Sequence, residues 1–356
     1  MIRASAAGRV NLIGEHTDYN AGLVLPTPIP QRTRVTLQPR ADDRVVVTSR
    51  ELGARAEYQL GHERRTGTWL DYVMGCSHVL RLAGHGVGGC ALDIESDVPV
   101  GSGLSSSAAL ELAVLRALRE AYALPIADLA LALLGQRAEV DLVGAPVGAM
   151  DQLAASLGTL GAALFIDCRD LAIRSIELPA VDLVVIGSGL RHDHAAGDYR
   201  VRRMECDEAA RRLGVATLRD AGLDADGVAA IRRLPPPLDR RARHVVTENA
   251  RVLAAVDAIR TGDVAELGAI LKAGHVSMRD DFEASLPAID ELVAIASADP
   301  AIHGARITGG GFGGAIVALA RAGTGAAASA RIAAAYRTKT GHVPQVLVAG
   351  DPCSPS

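Results

Sequence analysis

Aromatic residues make up only 3% of this 356-residue chain, so its interior has to be assembled from the aliphatic side chains that dominate a 49% hydrophobic composition. Lysine is nearly missing. Lys272 and Lys339 are the only two, and neither sits in a glycine-rich loop. That excludes a phosphate loop of the G-x-x-x-x-G-K-[ST] kind, whose lysine reaches the phosphates. An excess of positive charge is also lacking: the formal net charge of -4 argues against a nucleic-acid partner, which a basic surface would attract. No run of about eighteen apolar residues is present to span a membrane. The opening "MIRASAAGRV" lacks the apolar core of a secretory leader. Cys76, Cys90, Cys168, Cys206 and Cys353 are odd in number and show no C-x-x-C spacing, which reads as reduced thiols in a cytoplasmic protein. No membrane, nucleic-acid or obligate protein partner is expected.

What is present is helix and strand in mixed order. The length fits two domains or one large α/β unit. Strand-like segments occur at "TRVTLQPR", "DRVVVTSR" and "CALDIESDVPV". A helix is predicted over 106–123, with Leu110, Ala113, Val114, Leu118 and Ala121 on its apolar face. A second is predicted over 126–143, stopped by Gly144 and Pro146, and a short one over 151–157. Val184, Val185 and Ile186 read as a buried central strand. Beyond it the composition turns helical and arginine-rich, which places the domain boundary near residue 176 and gives domains 1–175 and 176–356.

Three glycine-bearing segments carry chemistry. In "GRVNLIGEHTDYN" a strand-like start breaks at Gly14 into a string of hydrogen-bonding side chains, which alone could be a polar turn at a strand end. In "VPVGSGLSSSAALEL" Gly101 and Gly103 permit close backbone approach, Ser105, Ser106 and Ser107 supply hydroxyls, and a helix starts with its free amides outward. Such a helix start favours an anion through both its dipole and its N–H donors. In "ARITGGGFGGAIVAL" five glycines lie between strands, either as a flexible hairpin turn or as backbone packed closely on a neighbour or a nucleotide. Between the last two segments, Asp151 stands at a helix start, where a carboxylate can simply complement the dipole. Beside an anion loop without lysine, Glu139 and a serine hydroxyl form an oxygen pair suited to Mg2+, which takes few protein ligands and relies on phosphates for the rest.

In this order the three segments resemble the GHMP kinase superfamily, and "GRVNLIGEHTDYN" together with "GAPVGAMDQ" resembles its galactokinase family over nearly the whole chain. The resemblance implies an α+β, two-domain GHMP kinase fold: a ribosomal-protein-like N-domain with a left-handed βαβ unit, and a ferredoxin-like C-domain. It implies roles residue by residue. Arg9 matches the arginine that stabilises the transition state and Asp151 the carboxylate facing the sugar's anomeric hydroxyl. Glu15, His16, Thr17, Asp18 and Tyr199 match residues of the sugar site. Gly101, Ser102, Gly103, Leu104, Ser105, Ser106 and Ser107 match the ATP phosphate loop, and Ser107 and Glu139 the Mg2+ ligands. The family usually carries a longer segment before the arginine, and Ala7, Ala21 and Val147 stand where proline, glycine and cysteine are common.

The implied reaction moves the γ-phosphoryl group of MgATP to the 1-hydroxyl of galactose, giving galactose 1-phosphate and ADP. Positioning and charge stabilisation carry such a transfer. Other readings are a kinase accepting N-acetylgalactosamine or arabinose, a non-catalytic sensor of galactose and ATP, and a metal-dependent hydrolase using His192, Asp193 and His194.

Overall fold

The computed structural model describes residues 1–190 and 195–352. In chain order the first elements are β1 (Ile2–Asn11), β2 (Leu23–Val24), β3 (Pro26–Pro39), β4 (Arg44–Ser49), β5 (Ala54–Gln59), α1 (Leu70–Leu82), β6 (Cys90–Ser96), α2 (Ser106–Ala121), α3 (Asp128–Ala138), α4 (Met150–Leu157), β7 (Ala162–Asp167) and β8 (Ala172–Glu177). There follow β9 (Val181–Gly187), α5 (Ala195–Leu213), α6 (Ala225–Arg232), α7 (Leu238–Thr261), α8 (Val264–Asp280), α9 (Pro287–Ala298), β10 (Ile302–Thr308), β11 (Ala315–Arg321), α10 (Gly325–Thr340) and β12 (Gln345–Pro352).

The chain forms two compact units: residues 1–9 with 28–158, and residues 10–27 with 159 onward. This differs from the single cut expected at 175/176. Composition changes at 176 because helices become frequent there. The second unit begins earlier because β7 pairs antiparallel with β2, Leu23 opposite Asp167 and Val24 opposite Ile166, and with β8 on its other edge.

The first unit holds a five-stranded sheet in the order β1-β3-β6-β4-β5. β3 runs antiparallel to β6, whereas β4 runs parallel to β6, so the chain between them must cross over rather than turn back. Val35, Leu37, Val45, Val47, Leu92 and Ile94 alternate along these strands and point into a core shared with α1, α2 and α3. α2 was expected to bury one stripe. Instead Ala108, Leu112, Leu115 and Ala117 are buried along with Ala113, Val114 and Leu118, because α1, α3 and α4 all pack on it. That burial encloses Glu111, which has no exposed surface.

The helix expected over 126–143 is not uniform. It is α-helical over Asp128–Ala138 and then widens into a π turn over Glu139–Val143. The cause is its stop signal: the amides of Gly144 and Ala145, at 2.9 and 3.2 Å, both bond back to the Glu139 carbonyl, and Gly144 is left-handed (φ 78°).

In the second unit an antiparallel sheet has the order β10-β11-β9-β12. Taken with α10 between β11 and β12, and helices α5 to α9 between β9 and β10, this is the order of a split βαβ, ferredoxin-like core. Every residue of β9 is buried, which its run of Val184, Val185 and Ile186 foretold.

Candidate active site

The serine loop of the first unit joins β6 to α2. Gly101 and Gly103 both adopt positive φ, at 74° and 77°. Ser105 does so as well, at 56°, a conformation a serine rarely takes, directly before the first turn of α2. Ser102 donates to the Pro99 carbonyl at 2.7 Å, and Leu104 is buried, so the loop is anchored from inside. The Arg9 amide donates to the Leu104 carbonyl at 3.1 Å, tying β1 to the loop.

Around this loop Arg9 and Asp151 meet. Arg9 Nε donates to Asp151 Oδ1 at 2.8 Å and its Nη2 lies 2.6 Å from the same oxygen. Arg9 Nη1 donates to the Gly103 carbonyl at 2.6 Å, and the Ser105 hydroxyl donates to Asp151 Oδ2 at 2.5 Å. The guanidinium side chain is 6% exposed and the carboxylate 28%, so the pair is held by protein while the carboxylate keeps access to solvent. Residues far apart in sequence are thereby fixed in one geometry. Asp151 is the second residue of α4, where the helix dipole also favours its charge.

Glu139 stands beside them on the π turn. The Ser107 hydroxyl and Gln152 both hydrogen-bond it, Gln152 Nε2 at 2.7 Å from Oε2. Burial first, then the negative charge of Asp151, pushes its carboxyl up to about 7. Gln152 Nε2 also reaches Oε2 of the buried Glu111 at 3.0 Å. Sequence reasoning missed both residues. It also missed a pocket of about 220 Å³ in this unit, lined by Leu52, Trp69, Tyr72, Ile94, Val98 and Val100 and closed at one end by Ser106 and Ser107. A signal was available: Trp69 is the chain's single tryptophan. A wider depression of about 700 Å³, lined by Arg3, Arg116 and Arg119, shares none of these residues. Arg116 is spent there on the Ser5 and Ser156 carbonyls and Arg119 on Asp128.

The second unit gathers the rest of the opening motif. Gly14 sits at φ 100°, and a Cβ there would lie 2.6 Å from the Leu23 carbonyl oxygen, so only glycine fits the break. Glu15 is 2% exposed. Its carboxylate pairs with the wholly buried Arg306 at 2.6 Å, and Gly309 donates to it at 3.3 Å. Arg306 is balanced on its other side by Glu248 at 3.2 Å, whose carboxylate also accepts the Gly14 amide at 3.0 Å. His16, in the left-handed region at φ 61°, packs against Phe282 and Tyr199 with ring centroids 4.4 and 5.3 Å away. Its Nδ1 lies 2.9 Å from the Tyr19 hydroxyl and its Nε2 3.2 Å from the Gly310 carbonyl. Thr17 is buried and directs its hydroxyl at the Gly14 and Leu23 carbonyls, at 2.8 and 2.6 Å. Asp18 opens a short 3-10 turn, Asp18–Asn20, and is half-buried. The five-glycine segment packs here: Gly310 lies against the Tyr199 ring, and a Cβ at Gly311 would come within 2.4 Å of the Ala284 carbonyl oxygen. Of the two readings open for it, close packing on a neighbour is the one its surroundings match. His192, Asp193 and His194 lie outside the described residues. Among the described residues no group of three or more His, Cys, Asp or Glu is arranged to hold a metal ion. No helix among them is long and apolar enough to cross a membrane.

A serine loop at a helix start in one unit and a split βαβ core in the other define the class of protein as a GHMP kinase. Family models agree: "GHMP kinases N terminal domain" matches residues 71–159, "GHMP kinases C terminal" residues 255–338, and "Galactokinase galactose-binding signature" residues 2–39. The chain is 44% identical to a galactokinase of Roseiflexus sp. (strain RS-1), over 96% of this chain and 89% of that one. It is 46% identical to a galactokinase of Mycobacterium tuberculosis (strain H37Rv), over 88% and 87%. Its structure matches Lactococcus lactis galactokinase, solved in complex with galactose, with a TM-score of 0.90 at 31% identity, covering 98% of this chain and 94% of that one. A mevalonate kinase shares the fold at a TM-score of 0.69 and 15% identity. The chain belongs to the galactokinase family and is a sugar kinase.

Proposed function

We propose that the chain transfers the γ-phosphoryl group of MgATP to the 1-hydroxyl of galactose, with Arg9 and Asp151 at the transfer and Glu15, His16, Asp18 and Tyr199 serving the sugar. The observation that carries this reading is the clamp on Asp151 by Arg9 and Ser105 at the head of the serine loop. A guanidinium has five N–H donors, and three are engaged, which leaves one on each Nη nitrogen for phosphoryl oxygens. A carboxylate accepts at about four positions, and Arg9 and Ser105 take three, so about one remains for a sugar hydroxyl. Asp151 then orients that hydroxyl and receives its proton late, as a loose transition state requires. Membership of the family supports reading the sugar residues of the second unit as serving the same reaction.

The loop glycines, the Ser106 hydroxyl and the amides of the α2 start cradle the phosphates, and the apolar pocket around Trp69 and Tyr72 suits a purine ring stacked beside them. Ser107 and Glu139 fit a nucleotide-borne Mg2+: one neutral hydroxyl and one carboxylate that burial leaves wanting a cation form a two-oxygen donor set. Bound there, the ion would neutralise charge on the phosphates. The free cysteines among the described residues, Cys76, Cys90, Cys168 and Cys206, suit the reducing cytoplasm in which we place the chain.

Asp151→Asn tests the assignment. It keeps the size of the side chain but removes the charge that holds Arg9 and the acceptor for the proton. The expected loss in kcat is at least about a hundredfold, with ATP affinity, measured by calorimetry, within about twofold of wild type. Wild-type turnover in this variant would overturn the role of Asp151.

A further inference from the structure

Tyr19 is the hydrogen-bond partner of His16 Nδ1. Its hydroxyl lies 2.9 Å from His16 Nδ1, while on the opposite side of the ring Nε2 lies 3.2 Å from the Gly310 carbonyl oxygen. A carbonyl oxygen only accepts, so the ring hydrogen must sit on Nε2. A neutral imidazole has one N–H, which leaves Nδ1 bare to accept the Tyr19 O–H. The opposite tautomer would set two lone pairs against each other at Nε2 and leave Tyr19 without its acceptor.

We propose that Tyr19 is a positioning residue for sugar recognition: together with the Gly310 carbonyl its O–H holds the Nε2–H tautomer of His16 and so makes His16 a hydrogen-bond donor, rather than an acceptor, toward a sugar hydroxyl. This rests on the reading of His16 as a residue of the sugar site.

The surroundings leave the pair little freedom. Burial first, then the neighbouring His244, lowers the His16 pKa to about 3, so the ring is neutral at working pH and only its tautomer is in question. Burial holds the Tyr19 phenol protonated, well above its usual range. The sulfur of Cys206 is the other hydrogen-bond neighbour of that phenol, and as a weak acceptor it yields the phenol proton to the bare Nδ1. The Tyr19 ring is packed edge-on against His16 and Tyr199, centroids 5.9 and 5.7 Å away, and the Arg203 guanidinium lies 5.5 Å over its face. Phe282 and Tyr199 both pack against the imidazole, which opposes a ring flip that would exchange the two nitrogens. The Nε2–H is spent on the Gly310 carbonyl in this structure, so a sugar hydroxyl would compete with that carbonyl for a proton already in place.

The test is Tyr19→Phe, which keeps the ring and removes only the hydroxyl, read by 15N NMR of the imidazole nitrogens and by steady-state kinetics. In wild type the His16 Nδ1 resonance should be that of an unprotonated nitrogen and Nε2 that of an N–H; in Tyr19→Phe both should move toward averaged values. The KM for galactose should rise roughly three- to tenfold, the worth of one hydrogen bond, with the KM for ATP within about twofold. A wild-type ring protonated on Nδ1, or a tautomer unchanged in Tyr19→Phe, would overturn the inference. A tautomer that shifts while the galactose KM stays fixed would leave the tautomer assignment standing and remove His16 from the sugar site.

Discussion

In the proposed reading Asp18 is a residue of the opening motif that serves the sugar. Its neighbours Glu15 and His16 are 2% and 4% exposed and bound to Arg306, Gly309, Tyr19 and Gly310, whereas Asp18 is half-buried on a short turn. A half-buried carboxylate can still reach a sugar hydroxyl, and a site built to bond hydroxyls penalises an epimer that leaves it unpaired. Asp18→Ala should therefore raise the galactose KM by at least about tenfold, the worth of a charge-assisted hydrogen bond, while the ATP KM stays within about twofold. Equal increases in both would count against Asp18 as a sugar ligand. The sequence motif named Glu15, His16, Thr17 and Asp18 alike. It could not separate them by burial, because the partners that enclose Glu15 and His16 come from β10 and the loop beyond it, nearly three hundred residues away.

Among the elements, α2 was the least legible. Its apolar residues are spaced for an amphipathic helix, a pattern that gives no sign of a buried Glu111. Packing by α1, α3 and α4 overrides that pattern and buries the carboxyl completely. Burial first, then the charge on Glu139, raises the Glu111 pKa well above 4.5. The unfolded chain releases this proton near pH 4.5 and the folded chain holds it, so the stability from Glu111 is fully present below 4.5 and drains away as pH rises toward the folded value. Glu111→Gln mimics the protonated acid and removes that loss. Its urea-denaturation stability relative to wild type should improve by more than about 1 kcal/mol between pH 5 and pH 8, since each pH unit of linkage is worth up to about 1.4 kcal/mol. Parallel curves for the two proteins would show that the buried carboxyl is ionised in the fold. The π turn that carries Glu139 escaped the sequence for a similar reason: its stop residues, Gly144 and Pro146, were visible, but the widening comes from two amides sharing one carbonyl. The strands β4, β6, β9, β10 and β11 were legible because each is a run of aliphatic and β-branched residues between polar or glycine punctuation.

For the whole molecule, the chemistry was easier to read than the boundaries. Arg9, the serine loop and Asp151 are short motifs whose residue types the proposed reaction calls for, and they lie together in one compact unit. The units themselves interleave, because residues 10–27 join the later part of the chain through β2 and β7, and composition along a linear sequence does not register such a return. The apolar pocket beside Ser106 and Ser107 draws on β3, β4, β6 and the start of α1, so no local window contained it. Phosphorylation of galactose from MgATP is tested most directly by ADP release by the purified chain across galactose, N-acetylgalactosamine, arabinose, glucose and mevalonate. The expected kcat/KM for galactose exceeds that for glucose by roughly a hundredfold or more, as hydroxyl-bonding sites impose. ADP release with none of the five, or equal turnover of galactose and glucose, would contradict it.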